Sequence, residues 1–422
     1  MADPAPHSGA KFSLFSLVCL VVANTIGAGV YTTSGYTLAA VGEPGRVLLV
    51  WLLAATLALS GALSFAALAR AMPLSGGEYL FLSRLLHPGA GFIAGWISLV
   101  AGFAGAQAFG ALALTEYLSF SEPVEKALAV GLLVALAATH GKLVKAGTVL
   151  QNLTVAAKAA FLGLFILLGW LWLPEAPATA AAPLATPDLW DWAYQVLMVG
   201  LSFTGFNAGI YVAEECQDPR RDIPRALFWG TAITALLYLA VNAVFLYSAP
   251  PEQLANEPRI AMVAAHALGG APLARAVQAL VLLSLFTLIS GAAVSGPRVV
   301  KKMGEDGFLP PLTLGQASAL QCALCVGMTL ASNLVDQLSY LSLTLSLISA
   351  LTVATVFRLP PEQRPFPLFP LVYLAGTGLT ALAALHENPM VGGVALATLT
   401  VGAILYAVLR GRSRPDEEAD SE

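Results

Sequence analysis

Two apolar stretches are interrupted by glycine where a bilayer-spanning helix would otherwise continue. They are Asn24-Thr25-Ile26-Gly27-Ala28-Gly29-Val30-Tyr31 and Ser202-Phe203-Thr204-Gly205-Phe206-Asn207-Ala208-Gly209. Amides that open a helix segment after such a break have no intrahelical acceptor and sit at the positive end of the segment's dipole, so Gly27, Ala28 and Gly29 can cradle a carboxylate. Carbonyls that close the preceding segment, around Thr25 and Ile26, can accept from an ammonium group, as can those near Ser202, Phe203 and Gly205. A zwitterion fits both poles. The same glycines would also let neighbouring helices pack closely. Two breaks with polar Asn24, Ser202, Thr204 and Asn207 beside them favour binding, because irregular backbone at membrane depth is tolerated only where it faces protein, water or a solute.

The second chemical signal is Lys158. It lies about ten residues into the fifth apolar stretch, roughly 15 Å deep at about 1.5 Å per residue, close to the bilayer midplane. A charge there costs at least about 2.5 to 3.5 kcal/mol on insertion scales, so the side chain is expected to face the interior. Carbonyls of the first broken helix and the hydroxyls of Ser290 or Ser295 are its candidate partners. Its ammonium can replace a bound sodium ion, take up and release a proton, or act as a fixed cation holding two helices together.

Other polar residues carry less. Glu116 reads as an interfacial carboxylate, and Gln107, Asn152 and Asn242 as interhelical hydrogen-bonding groups. The five histidines fall in loops or near span ends, giving no metal cluster and no acid–base dyad. Cys322 and Cys325 form a C-x-x-C with no second pair, which argues against a metal or redox site. No nucleotide cradle of the G-x-x-x-x-G-K type is present, and nothing calls for a cofactor or nucleic acid.

These residues must be positioned by membrane helices. Of 422 residues 57% are hydrophobic and only 11% charged, and mean hydropathy is +0.76, well outside the balance of soluble domains. Twelve spans are expected, near Phe12–Leu38, Val47–Leu68, Gly91–Leu118, Ala127–Thr139, Val149–Leu171, Trp190–Val212, Ala226–Tyr247, Leu273–Val294, Leu312–Ala331, Leu334–Val356, Phe369–Leu385 and Val391–Leu409. The runs are continuous rather than alternating, which excludes a barrel. Starting inside, 16 of the 21 lysines and arginines fall in cytoplasmic connections, so both termini are expected in the cytoplasm. The first span reads as retained rather than as a cleaved signal peptide.

The breaks occupy the first and sixth spans, an offset of five helices, and an odd-numbered repeat inverts. The expected organisation is a cytoplasmic tail (1–11), a first repeat of helices one to five (12–171), an external connection (172–189), a second repeat of helices six to ten (190–357), two scaffold helices (369–409) and an acidic cytoplasmic tail (410–422).

Three segments resemble the amino acid/polyamine/organocation superfamily of permeases. Ile26-Gly27-Ala28-Gly29-Val30-Tyr31 is similar to its first-helix G-[SAT]-G-[IV]-[FY] motif. Pro73-Leu74-Ser75-Gly76-Gly77-Glu78-Tyr79, with Gly91-Phe92 and Gly95-Trp96, is similar to its P-x-[SA]-G-G-x-Y loop and third-helix entry. Glu214-Glu215-Cys216-Gln217-Asp218-Pro219-Arg220-Arg221-Asp222-Ile223-Pro224-Arg225-Ala226 is similar to its E-x-x-x-P-x-x-x-[IL]-P-R-A stretch. The resemblance implies an all-α, 12-helix, five-plus-five inverted-repeat fold of the LeuT type. It also implies amino acid substrates, carboxylate binding by Gly27, Ala28 and Gly29, and, because Lys158 matches the fifth-helix lysine of sodium-independent branches, a sodium-independent mechanism. Several relatives carry an aromatic gate where this chain has Leu201, so occlusion would either come from Phe203 or Phe206 or be looser. With no acidic residue at the sixth-helix break, neutral substrates are favoured over cationic ones.

The expected activity is alternating-access transport of neutral L-amino acids in the plasma or inner membrane, as exchanger or proton-coupled permease, with no bond chemistry. A polytopic membrane enzyme would need an interior nucleophile, dyad or metal, for which the sequence offers no candidate. A sensor that binds an amino acid without moving it is the third reading, and no soluble signalling domain supports it. A partner subunit is left open.

Overall fold

The computed structural model describes residues 12–27, 29–118, 120–139, 144–172, 183–305 and 309–413. Ala28, the tail 1–11, most of the connection 172–189 and the acidic end of the chain lie outside them. The described chain is helical, and its one bridge of strand type joins Phe12 to Cys216.

The first span is two helices, α1 (Leu14–Thr25) and α2 (Gly29–Val41), bent by 47° at the break. Ser13 caps α1 by accepting from the Ser16 amide. Then come α3 (Pro44–Ala71), the short α4 (Gly77–Leu85) and α5 (Pro88–Ile97), which continues through a π-helical stretch, Ser98–Gly105, into α6 (Ala106–Glu116). The expected third span is therefore one wound segment with an internal bulge. Its widened turn frees the Gly105 carbonyl to accept from Gln337 Nε2 at 3.2 Å.

Next are α7 (Glu122–Thr139), α8 (Val144–Trp172) and α9 (Leu189–Gly200), the last started by an Asp188–Asp191 capping box. After α9 the sixth span never regains α-helical form. It tightens into a 3₁₀ turn, Leu201–Phe203, opens at Thr204, and resumes as 3₁₀ turns over Ala208–Glu215. Gly205 sits at φ +100°, in left-handed space that an L side chain avoids. The remaining helices are α10 (Pro219–Tyr247), α11 (Pro251–Leu254), α12 (Ile260–Glu305), α13 (Leu314–Ala331), α14 (Leu334–Ala354), α15 (Leu368–Glu387) and α16 (Pro389–Ser413). Helix α12 is far longer than the expected eighth span and is kinked at Gly269 and Gly270.

Among the described residues nine helical segments are long and apolar enough to cross a bilayer, and the bent pair α1–α2 makes ten. Helix α7 is not one of them, and of α8 the stretch Ala157–Trp172 qualifies only as a shorter apolar helix.

The buried side chains divide into two large clusters that meet at the breaks. One holds Ile26, Val30, Trp51, Phe203 and Tyr238. The other holds Leu17, Val21, Phe65, Phe81, Phe206 and Ile210. The sixth span therefore contributes its two halves to different cores, and the first divides similarly except for Val22 and Ile26, which pack with α2 in the first cluster.

Candidate functional site

The chain bends at Gly27 and at Gly205, and the two bends lie against each other. A Cβ built at Gly205 would come within 2.6 Å of the Asn24 carbonyl oxygen, and one at Gly29 would strike the Ser202 hydroxyl. Gly27 differs: the nearest atom to a Cβ there is the Thr25 carbonyl oxygen, at 3.8 Å. Gly205 and Gly29 are required for the close approach of the two segments, whereas at Gly27 a Cβ would make only an ordinary van der Waals contact.

Thr25, Ile26, Ser202, Phe203 and Phe206 are all buried, and Leu201 is half-buried against the first core. The Ser202 hydroxyl, facing Gly29, has no hydrogen-bond partner among the described residues, and neither has the Tyr31 hydroxyl. Both are desolvated groups that would gain from a polar guest.

The residue that sequence reasoning missed is Tyr238, in the middle of α10. Its hydroxyl lies 2.7 Å from the Thr25 carbonyl oxygen and 2.9 Å from that of Ser202. A phenol has one proton to donate. At any instant one of these carbonyls is without a donor, which leaves an acceptor for an incoming ammonium. The available signal was a tyrosine inside an apolar run with Asn242 one turn later.

Tyr238 is held from several sides. Its ring meets Trp51 at 5.3 Å and Phe203 at 5.2 Å, both edge-on, a geometry worth about 0.5 to 1.5 kcal/mol per pair beyond burial. Asn242 donates to the Tyr238 carbonyl at 2.8 Å and accepts from Ser34, which in turn accepts from Trp51 Nε1. On the other side of the breaks Phe65 packs edge-on against Phe206 at 5.5 Å. Phe203 thus lies beside the breaks in one core and Phe206 in the other, with Leu201 packed against the first.

A backbone hydrogen bond ties the chain across each end of the broken spans. At the N-terminal face the Phe12 amide donates to the Glu215 carbonyl at 2.9 Å, tying the start of α1 to the end of the sixth span. At the opposite face the Asn256 amide donates to the Gly35 carbonyl at 2.8 Å, folding the α11 connection over α2.

Lys158 is buried, with 8% of its surface exposed, on α8, which packs against α10 and α12. No hydrogen bond or ion pair joins its ammonium to another described residue. Of its expected partners on α12, Ser290 is half-buried and Ser295 is exposed.

Gln107 forms the interhelical network expected of it. Its Nε2 donates to the Ile289 carbonyl at 3.0 Å, and its Oε1 accepts from Gln321 Nε2 and from the Cys325 thiol. Cys325 is thereby a hydrogen-bonding core residue. Among the described residues no three His, Cys, Asp or Glu side chains are grouped to hold a metal.

Residues 12–408 match the sequence model of the family described as amino acid permease. The chain is 26% identical over 446 residues to the human large neutral amino acids transporter small subunit 2, covering 96% of this chain and 83% of that one. It is 25% identical over 427 residues to the serine/threonine exchanger SteT of Bacillus subtilis, covering 94% and 96%. The fold is shared with MHP1, a nucleobase-cation-symport-1 family transporter, at a TM-score of 0.51 and 13% identity over 91% of this chain and 94% of that one. The fold is thus the LeuT-type transporter fold, with its first and sixth helices discontinuous, and the chain belongs to the amino acid permease family.

Proposed function

We propose that this permease moves neutral L-amino acids by alternating access, without sodium, binding the zwitterion between the two breaks. The observation that carries the reading is the Tyr238 hydroxyl shared between the Thr25 and Ser202 carbonyls, beside the uncrowded backbone at Gly27. A carboxylate would lie on the amides of Gly27, Ala28 and Gly29, and its ammonium would take the carbonyl that Tyr238 leaves free. No acidic side chain stands at either break to favour a second positive charge. The similarity to a large neutral amino acids transporter and to a serine/threonine exchanger supports neutral substrates and exchange.

Lys158 is the coupling group in this proposal. Its buried ammonium occupies the position of a sodium ion, or carries the proton if transport is proton-driven. The face bearing the N-terminus is taken as cytoplasmic, in keeping with the distribution of lysine and arginine, and residues 12–171 and 190–357 as the two inverted repeats.

The test is purified protein in liposomes, preloaded or empty, with labelled amino acids and imposed sodium or pH gradients. Uptake of neutral amino acids that persists when sodium is replaced by choline supports the proposal. A strict sodium requirement, or absence of flux for every amino acid, refutes it.

A further inference from the structure

The connection between α3 and α5 contains a carboxylate with no part in substrate binding. Glu78 stands in the first turn of α4, and its Oε1 accepts from the Ser349 hydroxyl of α14 at 2.6 Å. The same connection grips the end of the sixth span. Ser75 Oγ accepts from the Glu214 amide at 3.1 Å. Gly77, at φ +62°, lies directly under the ring of Tyr211, so that a Cβ would collide with it. One short loop therefore fastens a segment of the broken sixth span to α14, on the face where Phe12 also pairs with Glu215.

We propose that Glu78 is a proton-binding site that controls opening of this face: the neutral carboxyl lets the connection stay docked between Tyr211 and Tyr373, and its ionisation, with no described cation there to compensate it, outweighs the Ser349 hydrogen bond and releases the connection. The inference goes beyond substrate binding but rests on the reading that this face opens during transport.

The surroundings supply the physical cause. No described cationic side chain pairs with Glu78. The titratable groups that face it are the phenols of Tyr211, from the sixth span, and Tyr373, from α15. Both are neutral at ordinary pH and compensate no charge. Tyr373 also lies beside Ser349 and packs against Gly61 of α3. Glu78 is half-buried, and desolvation of its carboxyl pushes it up to about 7, opposed by the Ser349 hydrogen bond, which favours the charged form. Once the loop swings into water the carboxyl returns toward its ordinary value of 4.5.

The sign follows from linkage. The closed form binds the proton more tightly, so closure is favoured at low pH and weakens as pH rises from the open-state value through the closed-state one. Between pH 6 and 8 the open-to-closed ratio should rise about tenfold, flattening above that.

Cys216 is a natural reporter of this opening. It is buried beside Phe12, and burial first, then Asp222 and Glu215, push its thiol up to about 11. Protein carrying Cys216 alone, with Cys19, Cys322 and Cys325 replaced by alanine, would be placed in nanodiscs and treated with a soluble maleimide from pH 5.5 to 8.5. Each rate is normalised to unfolded protein at the same pH. We expect about a tenfold rise between pH 6 and 8. Glu78→Gln, which stays neutral and keeps an acceptor for Ser349, should label slowly at every pH. Ser349→Ala, which removes the donor to the charged form, should move the midpoint upward. Glu78→Gln following the wild-type curve, or a wild-type rate independent of pH, overturns the proposal while leaving the transport reading intact. Cys216 unreactive at every pH, even with substrate, removes both, since this face would then never open.

Discussion

At the scale of single residues, the glycines of the two breaks are not equivalent. Gly205 combines left-handed backbone with contact against the Asn24 carbonyl, so Gly205→Ala should cost about 1 to 2 kcal/mol from backbone strain alone, with further loss from the collision. The check is a fall in thermal unfolding temperature in detergent. Gly27→Val should leave that temperature little changed, because a side chain there meets only the Thr25 carbonyl oxygen at 3.8 Å, yet abolish substrate binding by filling the cradle. Unchanged uptake would count against the site. Tyr238→Phe strips the shared donor from two buried carbonyls, a loss of about 1 to 3 kcal/mol, and should reduce both thermal stability and exchange. Lys158→Ala should impair flux more than folding. Normal flux with normal pH dependence would dismiss both coupling roles for the lysine.

At the scale of elements, the broken spans are the movable parts because their halves belong to separate cores. Segment α1 and turns 208–215 pack with Phe65, Phe81 and Ile223, while α2 and α9 pack with Trp51 and Tyr238. Opening the N-terminal face requires parting the Phe12–Glu215 pairing. Neighbouring strands in a ladder lie about 4.8 Å apart, within the Cα range of a disulfide. Phe12→Cys should therefore crosslink to Cys216 under mild oxidation, arrest transport, and be released by reductant. Full transport in the crosslinked protein would show that this pairing does not gate the permeation path.

At the scale of the whole molecule, much of the architecture was legible in the chain. Hydropathy marks spanning segments because lipid selects for it continuously, and glycine marks the breaks because only glycine combines tight approach with free backbone. Both are local properties. The extent of the second break was less legible. Nothing in Phe206-Asn207-Ala208-Gly209 announces that the sixth span continues as 3₁₀ turns rather than as α-helix. That outcome depends on the sixth span being held from outside by Phe12, Ser75 and the ring contact over Gly77. The π-helical stretch in the third span was equally silent, since its extra residue per turn is stabilised by a partner, Gln337, that is 232 positions away.

The sequence by itself determined that the chain crosses a bilayer, that its first and sixth spans are broken at glycine, and that a lysine interrupts its fifth apolar stretch. Composition and backbone freedom act residue by residue, so they can be read in order. Which groups meet at the breaks was decided by tertiary structure alone. Helices that are apolar on most sides carry little periodic information about which face turns inward, so hydrogen bonds choose. Tyr238 reaching Thr25 and Ser202, and Ser349 reaching Glu78 across 271 positions, exist only once the helices are assembled, because a buried donor must find an acceptor wherever the packing has brought one.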